Sequence, residues 1–261
     1  MLKLTSITVL SEHKWVMAYR PKIGITMRIE QATRRFYLGR DYSEALAGLG
    51  ATPLHIPLIP DADYIADAVA GLDGILLPGS DSDVDPIYFD EDPHPKLGNV
   101  VPEKDETDQL VLAQIEKRGL PLLAICYGLQ SLNVSRGGSL VQDIASQVEN
   151  AIKHQQGIPL ERRSHAIRIK GGSILEKALG VGVDTSKVNS HHHQAISKTG
   201  KDLEAIAWAN DGVIEAVEDT RSDRFVVGVQ WHPELNWQND ELSRYLFGEL
   251  ITQAAKGSNQ H

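Results

Sequence analysis

"LPLLAICYGLQSLNVSRGG", residues 120–138, carries the one cysteine of a 261-residue chain. Leu120 to Ile125 is a short apolar run of the kind a buried strand shows. Gly128 to Arg136 places Leu129, Leu132 and Val134 at helical spacing and is stopped by Gly137-Gly138. Cys126 therefore falls at a strand-to-helix turn, with Ala124 two residues before it and Gly128 two after. Small residues at those two places let a sharp turn project a nucleophile. The plain alternative is inert packing, because a free cysteine is among the most often buried residue types. The rest of the chain has to decide between them.

Outward from this stretch, strand-like and helix-like segments alternate. Upstream lies "PEKDETDQLVLAQIEKRG" (102–119), with proline at its start, acids in its first turn, Lys117-Arg118 in its last, and Gly119 beyond. That order suits a helix dipole. Further upstream come "KIGITM" (22–27) as a strand, "DYSEALAGLG" (41–50) as a helix, and "ATPLHIPLIP" (51–60) as an extended run. "DADYIADAVAG" (61–71) follows as a helix, "GILLP" (74–78) as a strand and "GSDSDVDP" (79–86) as a turn. Downstream, residues 164–170, 187–192, 203–211, 212–219 and 224–234 read as strands, and a helix closes the chain from about Asp240 to Ala255. Asp211-Gly212 marks a hairpin. Alternation of β and α in the first half implies a three-layer α/β fold, a mostly parallel central sheet flanked by helices. The C-terminal half adds an antiparallel portion. Active sites of such sheets gather at the carboxyl ends of strands. Cys126, the Gly79-Ser80 turn and His232 all stand there.

Composition narrows the function classes. The chain is 41% hydrophobic and carries a formal charge of −9, from 26 Lys and Arg against 35 Asp and Glu. Phosphate binding needs a basic surface, so a nucleic-acid or anionic-membrane partner is not expected. A single cysteine precludes an internal disulfide and fits a reducing compartment. No stretch approaches the ~20 apolar residues of a membrane span. Residues 1–20 lack a signal-peptide core, being interrupted by Ser11, Glu12, His13 and Lys14. They read as an N-terminal extension, with one catalytic domain over 21–256 and a cytoplasmic location. A homo-oligomer is left open.

A cysteine nucleophile needs a base, a helix N-terminus, or both. The helix from Gly128 supplies the second. Among ten histidines, His13, His94 and His154 lie in polar stretches and read as solvated, while His55 and His165 lie in strand-like runs. "VVGVQWHPEL" is different: an apolar strand delivers His232, Pro233 stops it, and Glu234 follows. A carboxylate at i+2 of an extended segment lies on the same side as the histidine and can fix its tautomer. A surface His-Pro corner with a solvated glutamate is the competing reading. "NSHHHQ" (189–194) first suggests a metal. In a strand, only His191 and His193 share a side, and no Cys, Asp or Glu lies within ligand spacing. A wall of the active-site cleft is the expected role, and no metal is expected.

Taken together, "AICYGLQ" with "GG" after it and a distant "GVQWHPE" resemble the class I glutamine amidotransferase superfamily, of flavodoxin-like fold. "KIGIT", "YSEALAGLGATPLHIPLIP", "LLPGSDSDVDP", "QDI", "VNSHHHQAI" and "NDGVIEAVE" resemble its branch of stand-alone γ-glutamyl hydrolases, the C26-type peptidases, over roughly residues 21–250. The resemblance implies a triad of Cys126 as nucleophile, His232 as base then acid, and Glu234 as orienting carboxylate. It implies an oxyanion hole from the Tyr127 amide and an amide of the Gly79-Ser80 turn, with Gln130 and His192 lining a γ-glutamyl pocket. The implied reaction is hydrolysis of a small γ-glutamyl-amine through a cysteine thioester, with no cofactor. Tyr127 departs from the branch, which often has arginine there, and Gly79-Ser80-Asp81 carries fewer glycines than many relatives. Two other functions compete: a glutaminase subunit feeding ammonia to a synthase, and a non-catalytic ligand-binding relative. A papain-like protease lacks its Cys-Gly-Ser-Cys-Trp run here.

Overall fold

The computed structural model describes residues 19–258. The N-terminal extension expected over residues 1–20 therefore lies, up to residue 18, outside the described residues. Along the first half run β1 (Lys22–Thr26), β2 (Arg28–Glu30), β3 (Arg35–Tyr37), α1 (Arg40–Gly48), β4 (Thr52–Ile56), α2 (Ala62–Ala70) and β5 (Gly74–Leu77). Then come α3 (Pro102–Arg118), β6 (Leu122–Ile125), α4 (Tyr127–Ser135), β7 (Ser139–Val141) and α5 (Ile144–Gln147). The second half holds β8 (His165–Ile169), α6 (Ile174–Leu179), β9 (Thr185–Val188), β10 (Ala195–Lys198), β11 (Leu203–Ala209), β12 (Ile214–Asp219), β13 (Val226–Val229) and α7 (Glu241–Ser258).

The main sheet runs β4-β1-β5-β6-β13-β12-β11-β8-β9, with β10 and β7 branching from β12. From β4 to β13 every neighbour is parallel, and from β13 to β9 every neighbour is antiparallel. The apolar runs of the parallel strands follow from burial on both faces. Leu76, Leu123 and Ile125 point into one core with Leu246, Phe247 and Leu250 of α7. Their neighbours Ile75, Leu77, Leu122 and Ala124 point into the other, with Val111 and Ile115 of α3 and Leu129 of α4. One strand thus feeds two hydrophobic layers by simple alternation. Gly228 of β13 lets α4 close onto the sheet, since a Cβ there would stand 2.4 Å from Leu129 Cδ1.

Local chemistry sets the helix ends. Asp61 Oδ1 accepts the Tyr64 amide at 2.8 Å to cap α2. Pro102 opens α3, and Gly119 closes it with φ 69°.

Several expectations need correction. Residues 187–192 do not form one strand: β9 ends at Val188, and the histidine run that follows is a loop. Its side chains are therefore not bound to alternate. The stretch 28–40, which shows no strand pattern in the sequence, contains the antiparallel β2–β3 hairpin. Asp105 and Asp108 of the first turns of α3 are buried. Asp108 Oδ2 accepts from Lys104 Nζ at 2.6 Å, and the same ammonium donates to Thr26 Oγ1 at 2.9 Å. Pairing offsets the cost of burying those charges. His154 is also buried, at 3% exposure, because two distant carboxylates meet its ring.

Candidate active site

β6 ends at Ile125 and α4 begins at Tyr127, so one residue makes the whole turn. That residue, Cys126, has φ 52° and ψ −107°, a conformation an L-residue adopts only when its surroundings impose it. The imposing contacts are visible. The Cys126 amide donates to Val229 O at 2.8 Å, locking the turn to β13, and its carbonyl accepts the Gln130 amide at 3.1 Å to start α4. At Gly128 a Cβ would stand 2.3 Å from Leu77 O, so no larger residue fits against β5. The thiol is left at the N-terminus of α4, where amides and dipole favour an anion.

β13 carries the partner. His232 follows it, and Pro233–Leu235 forms a single 3-10 turn rather than the extended segment expected from the sequence. The turn brings His232 Nδ1 to 2.6 Å from Glu234 Oε1. Asn189 clamps the histidine backbone from both sides: its Nδ2 donates to His232 O and its Oδ1 accepts the His232 amide, each at 2.8 Å. The imidazole lies near enough to Cys126 for charge on the sulfur to act on it. Burial alone would lower its pKa, but the Glu234 carboxylate and the Cys126 thiolate together raise it to about 10.

Two amides of the cleft that Cys126 lines have no acceptor among the described residues. Tyr127 is the first residue of α4, where amides have no intrahelical acceptor. Of the opposite turn, the Gly79 amide is occupied by the Tyr42 hydroxyl at 3.1 Å. The Ser80 amide has no acceptor among the described residues. Gly79 also touches the histidine, for a Cβ there would lie 2.8 Å from His232 Cε1. Gly79→Ala is therefore expected to displace the ring from the thiol, lowering kcat by about tenfold to a hundredfold while KM moves less. Steady-state kinetics of the variant check this.

A cleft of about 270 Å³ opens beside Cys126, lined among others by Ser80, Asp83, Gln130, His191 and His193. Gln130 is buried and held by its Nε2, which donates to Gln194 O and Gln230 Oε1, both at 3.2 Å. Its carbonyl oxygen is left free to accept. His192 also borders the cleft, but its ring nitrogens face away: Nδ1 meets Gln194 O at 2.9 Å and Nε2 faces Glu215. His193 ties the wall to the 79–98 segment through Asp83 Oδ1 at 2.8 Å, and Asp83 Oδ2 accepts the Gly98 amide at 2.6 Å. The Tyr127 side chain does not enter the cleft. Its hydroxyl donates to Asp105 Oδ1 at 2.5 Å in the interior. A second depression of about 300 Å³ adjoins on the far side of His232, with Arg28, Tyr42 and Leu160 in its wall.

Nothing local in the sequence points to Asn189, Tyr42 or Arg28. Asn189 stands inside the "VNSHHHQAI" motif, masked by the more conspicuous histidines, and Tyr42 fits the apolar face of α1. Arg28 Nε donates to Gly79 O at 2.6 Å, bracing the turn that bears the free Ser80 amide.

Known proteins match most of this chain. The chain is 33% identical over 243 residues to γ-glutamyl-γ-aminobutyrate hydrolase PuuD of Escherichia coli K12, covering 89% of this chain and 92% of that one. It is 35% identical over 212 residues to YvdE of Lactococcus lactis, described as a glutamine amidotransferase-like protein, covering 81% and 86% of the two chains. A crystal structure from Thermoplasma acidophilum, described as that of a GMP synthase component, superposes with a TM-score of 0.64 at 17% identity. It covers 94% of this chain and 98% of that one, which shows a shared fold. The Peptidase C26 family model matches residues 21–234, so this chain belongs to that family, as a hydrolase of the cysteine-dependent glutamine amidotransferase type.

Proposed function

We propose that this chain hydrolyses the γ-glutamyl amide bond of a small γ-glutamyl-amine, with Cys126, His232 and Glu234 as one catalytic unit in a domain spanning residues 21–256. The observation that carries the proposal is the strained turn at Cys126, which holds the thiol against an imidazole already oriented by Glu234.

In this reading, the Cys126 thiolate attacks the γ-carbonyl carbon. The carbonyl π electrons move to oxygen, and the oxyanion accepts from the Tyr127 and Ser80 amides. One such donor is typically worth about 3 to 4 kcal/mol of barrier. The His232 imidazolium then gives its proton to the departing amine as the C–N bond breaks, leaving a γ-glutamyl thioester. Water enters, His232 takes its proton, and the hydroxide displaces the thiolate, releasing glutamate. The Gln130 carbonyl faces the cleft as an acceptor for the substrate's α-ammonium. No step asks for a cofactor.

The name of the PuuD relative supports γ-glutamyl-γ-aminobutyrate as a first substrate to try. A screen of γ-glutamyl-amines, γ-glutamyl peptides and free glutamine, read as glutamate release by the isolated chain, tests the proposal. Turnover of at least one γ-glutamyl-amine well above that of glutamine is expected. Activity confined to glutamine would overturn it in favour of an ammonia-delivering role beside a synthase.

A further inference from the structure

Behind the cleft wall, three histidines surround one buried carboxylate that the proposed reaction does not use. His154, His165 and His192 are 3%, 8% and 4% exposed, and Glu215 of β12 is fully buried. We propose that His154 Nδ1, His192 Nε2 and Glu215 Oε1 form a binding site for one divalent transition-metal cation of the zinc class.

The argument starts from tautomers. His154 Nε2 lies 3.0 Å from Asp211 Oδ2, and His192 Nδ1 lies 2.9 Å from Gln194 O. A carbonyl and an ionised carboxylate can only accept, so each of these nitrogens carries the proton. Asp211 is held ionised, its Oδ2 also accepting the Ile152 amide at 2.9 Å. In the neutral rings, His154 Nδ1 and His192 Nε2 therefore present lone pairs, and both face the oxygen of a carboxylate. Three electron-rich atoms converge on one another inside the protein, an arrangement that a cation bound between them would satisfy.

Distances separate a metal from a set of hydrogen bonds. Glu215 Oε1 stands 3.3 Å from His154 Nδ1 and 3.6 Å from His192 Nε2. Both exceed the usual 2.7–3.2 Å of an N–H···O bond. A tetrahedral ion about 2.1 Å from each ligand would set its ligands about 3.4 Å apart, a value that falls between the two distances found. In keeping with this, both Glu215 carboxylate oxygens and His192 Nε2 are buried without a well-formed hydrogen bond. The three donor atoms lie within 4.8 Å of one another. His165 Nε2 is 3.0 Å from the same Glu215 oxygen, without hydrogen-bond geometry, and lies outside that set.

The surroundings have the form of a metal site's outer shell. Ligating histidines usually donate their other N–H to a carboxylate or a backbone carbonyl, as His154 and His192 do to Asp211 and Gln194. Charge also balances, because Glu215 and Asp211 are both buried and a dication neutralises the pair. Two imidazoles and one carboxylate suit zinc, cobalt or nickel rather than magnesium or calcium. Local spacing in "NSHHHQ" points away from a metal because the other two ligands come from distant parts of the chain. An ion here would pin His192, and with it the cleft wall, to β12.

The test uses the full chain carrying Cys126→Ala, so that the thiol takes no part. After dialysis against a chelator it is titrated with Zn(II) by calorimetry and with Co(II) by visible absorption. One equivalent per chain is expected, with a Co(II) d–d band and a higher thermal midpoint. Glu215→Gln and His154→Gln are each expected to weaken binding by at least a hundredfold. X-ray absorption of the zinc form, expected to count two imidazole nitrogens, holds whether or not those variants fold. No stoichiometric uptake by the folded chain, or uptake unchanged in both variants, overturns the proposal.

Discussion

Replacing Cys126 by alanine is expected to abolish glutamate release and to leave the fold standing. The size of the loss follows from the mechanism proposed: without sulfur there is no thioester, and the imidazole has no nucleophile to serve. Deleting the nucleophile of a comparable triad removes about six orders of magnitude of rate. What survives is the small acceleration from substrate binding and the Tyr127 and Ser80 amides. The fold is indifferent to the sulfur because the turn is held by other groups: the Cys126 amide on Val229 O, the close approach of Gly128 to Leu77 O, and the start of α4. Stability even has room to rise. At φ 52° and ψ −107° a side chain is strained, by roughly 1 to 3 kcal/mol where such strain has been assessed. Cys126→Gly removes it and is expected to melt above wild type, with Cys126→Ala close to wild type. Thermal melts beside a glutamate assay check both. Appreciable turnover by Cys126→Ala would remove the basis of the functional reading.

Glu234→Gln is expected to lower kcat by about three to four orders of magnitude and to move the alkaline limit of activity downward. The glutamine amide can present its NH₂ to His232 Nδ1 and so favour the wrong tautomer, which in an Asp-to-Asn change of another triad cost about 10⁴ in kcat. The pH effect comes from charge. His232 stands at about 10, with the Glu234 carboxylate the largest of the charges raising it against burial. The sign for stability follows. A histidine whose folded pKa is raised contributes stability in full below its unfolded value of about 6.5, and that contribution is lost as pH rises through 10. Its size is on the order of a few kcal/mol. The wild type should therefore keep its imidazolium through neutral pH and lose the stability that it contributes as pH rises toward 10. In Glu234→Gln both alkaline limits should fall. A pH profile of kcat and of melting temperature measures them, and limits that do not move would show that Glu234 does not charge the histidine.

How much of this is legible in the sequence varies by element. The helix over α3 is readable in full, because proline, charge order and a terminal glycine are local signals that agree with one another. So is the strand–turn–helix at Cys126, since the two small residues flanking it have one physical purpose, visible at Gly128 as a clash with Leu77 O. The hairpin of β11 and β12 is antiparallel as its turn residues indicate, with a loop wider than two residues: Ala209 accepts and donates across residues 210–213. The β2–β3 hairpin is not legible, because an exposed two-stranded ribbon leaves no alternating apolar pattern to read.

The amino-acid order by itself determined the alternation of strands and helices, the burial of the parallel strands on both faces, and the position of thiol, imidazole and carboxylate at strand ends. These depend on residue spacing over a few positions, which backbone periodicity converts directly into direction. Only the tertiary structure decided which groups meet. Folding set Asn189 against His232, left the Ser80 amide unbonded while Tyr42 took that of Gly79, and turned His192 away from the cleft toward Glu215. Those contacts join residues far apart in the chain, and hydrogen-bond partners or convergent lone pairs at such separations are set by how the layers pack, which no local pattern encodes.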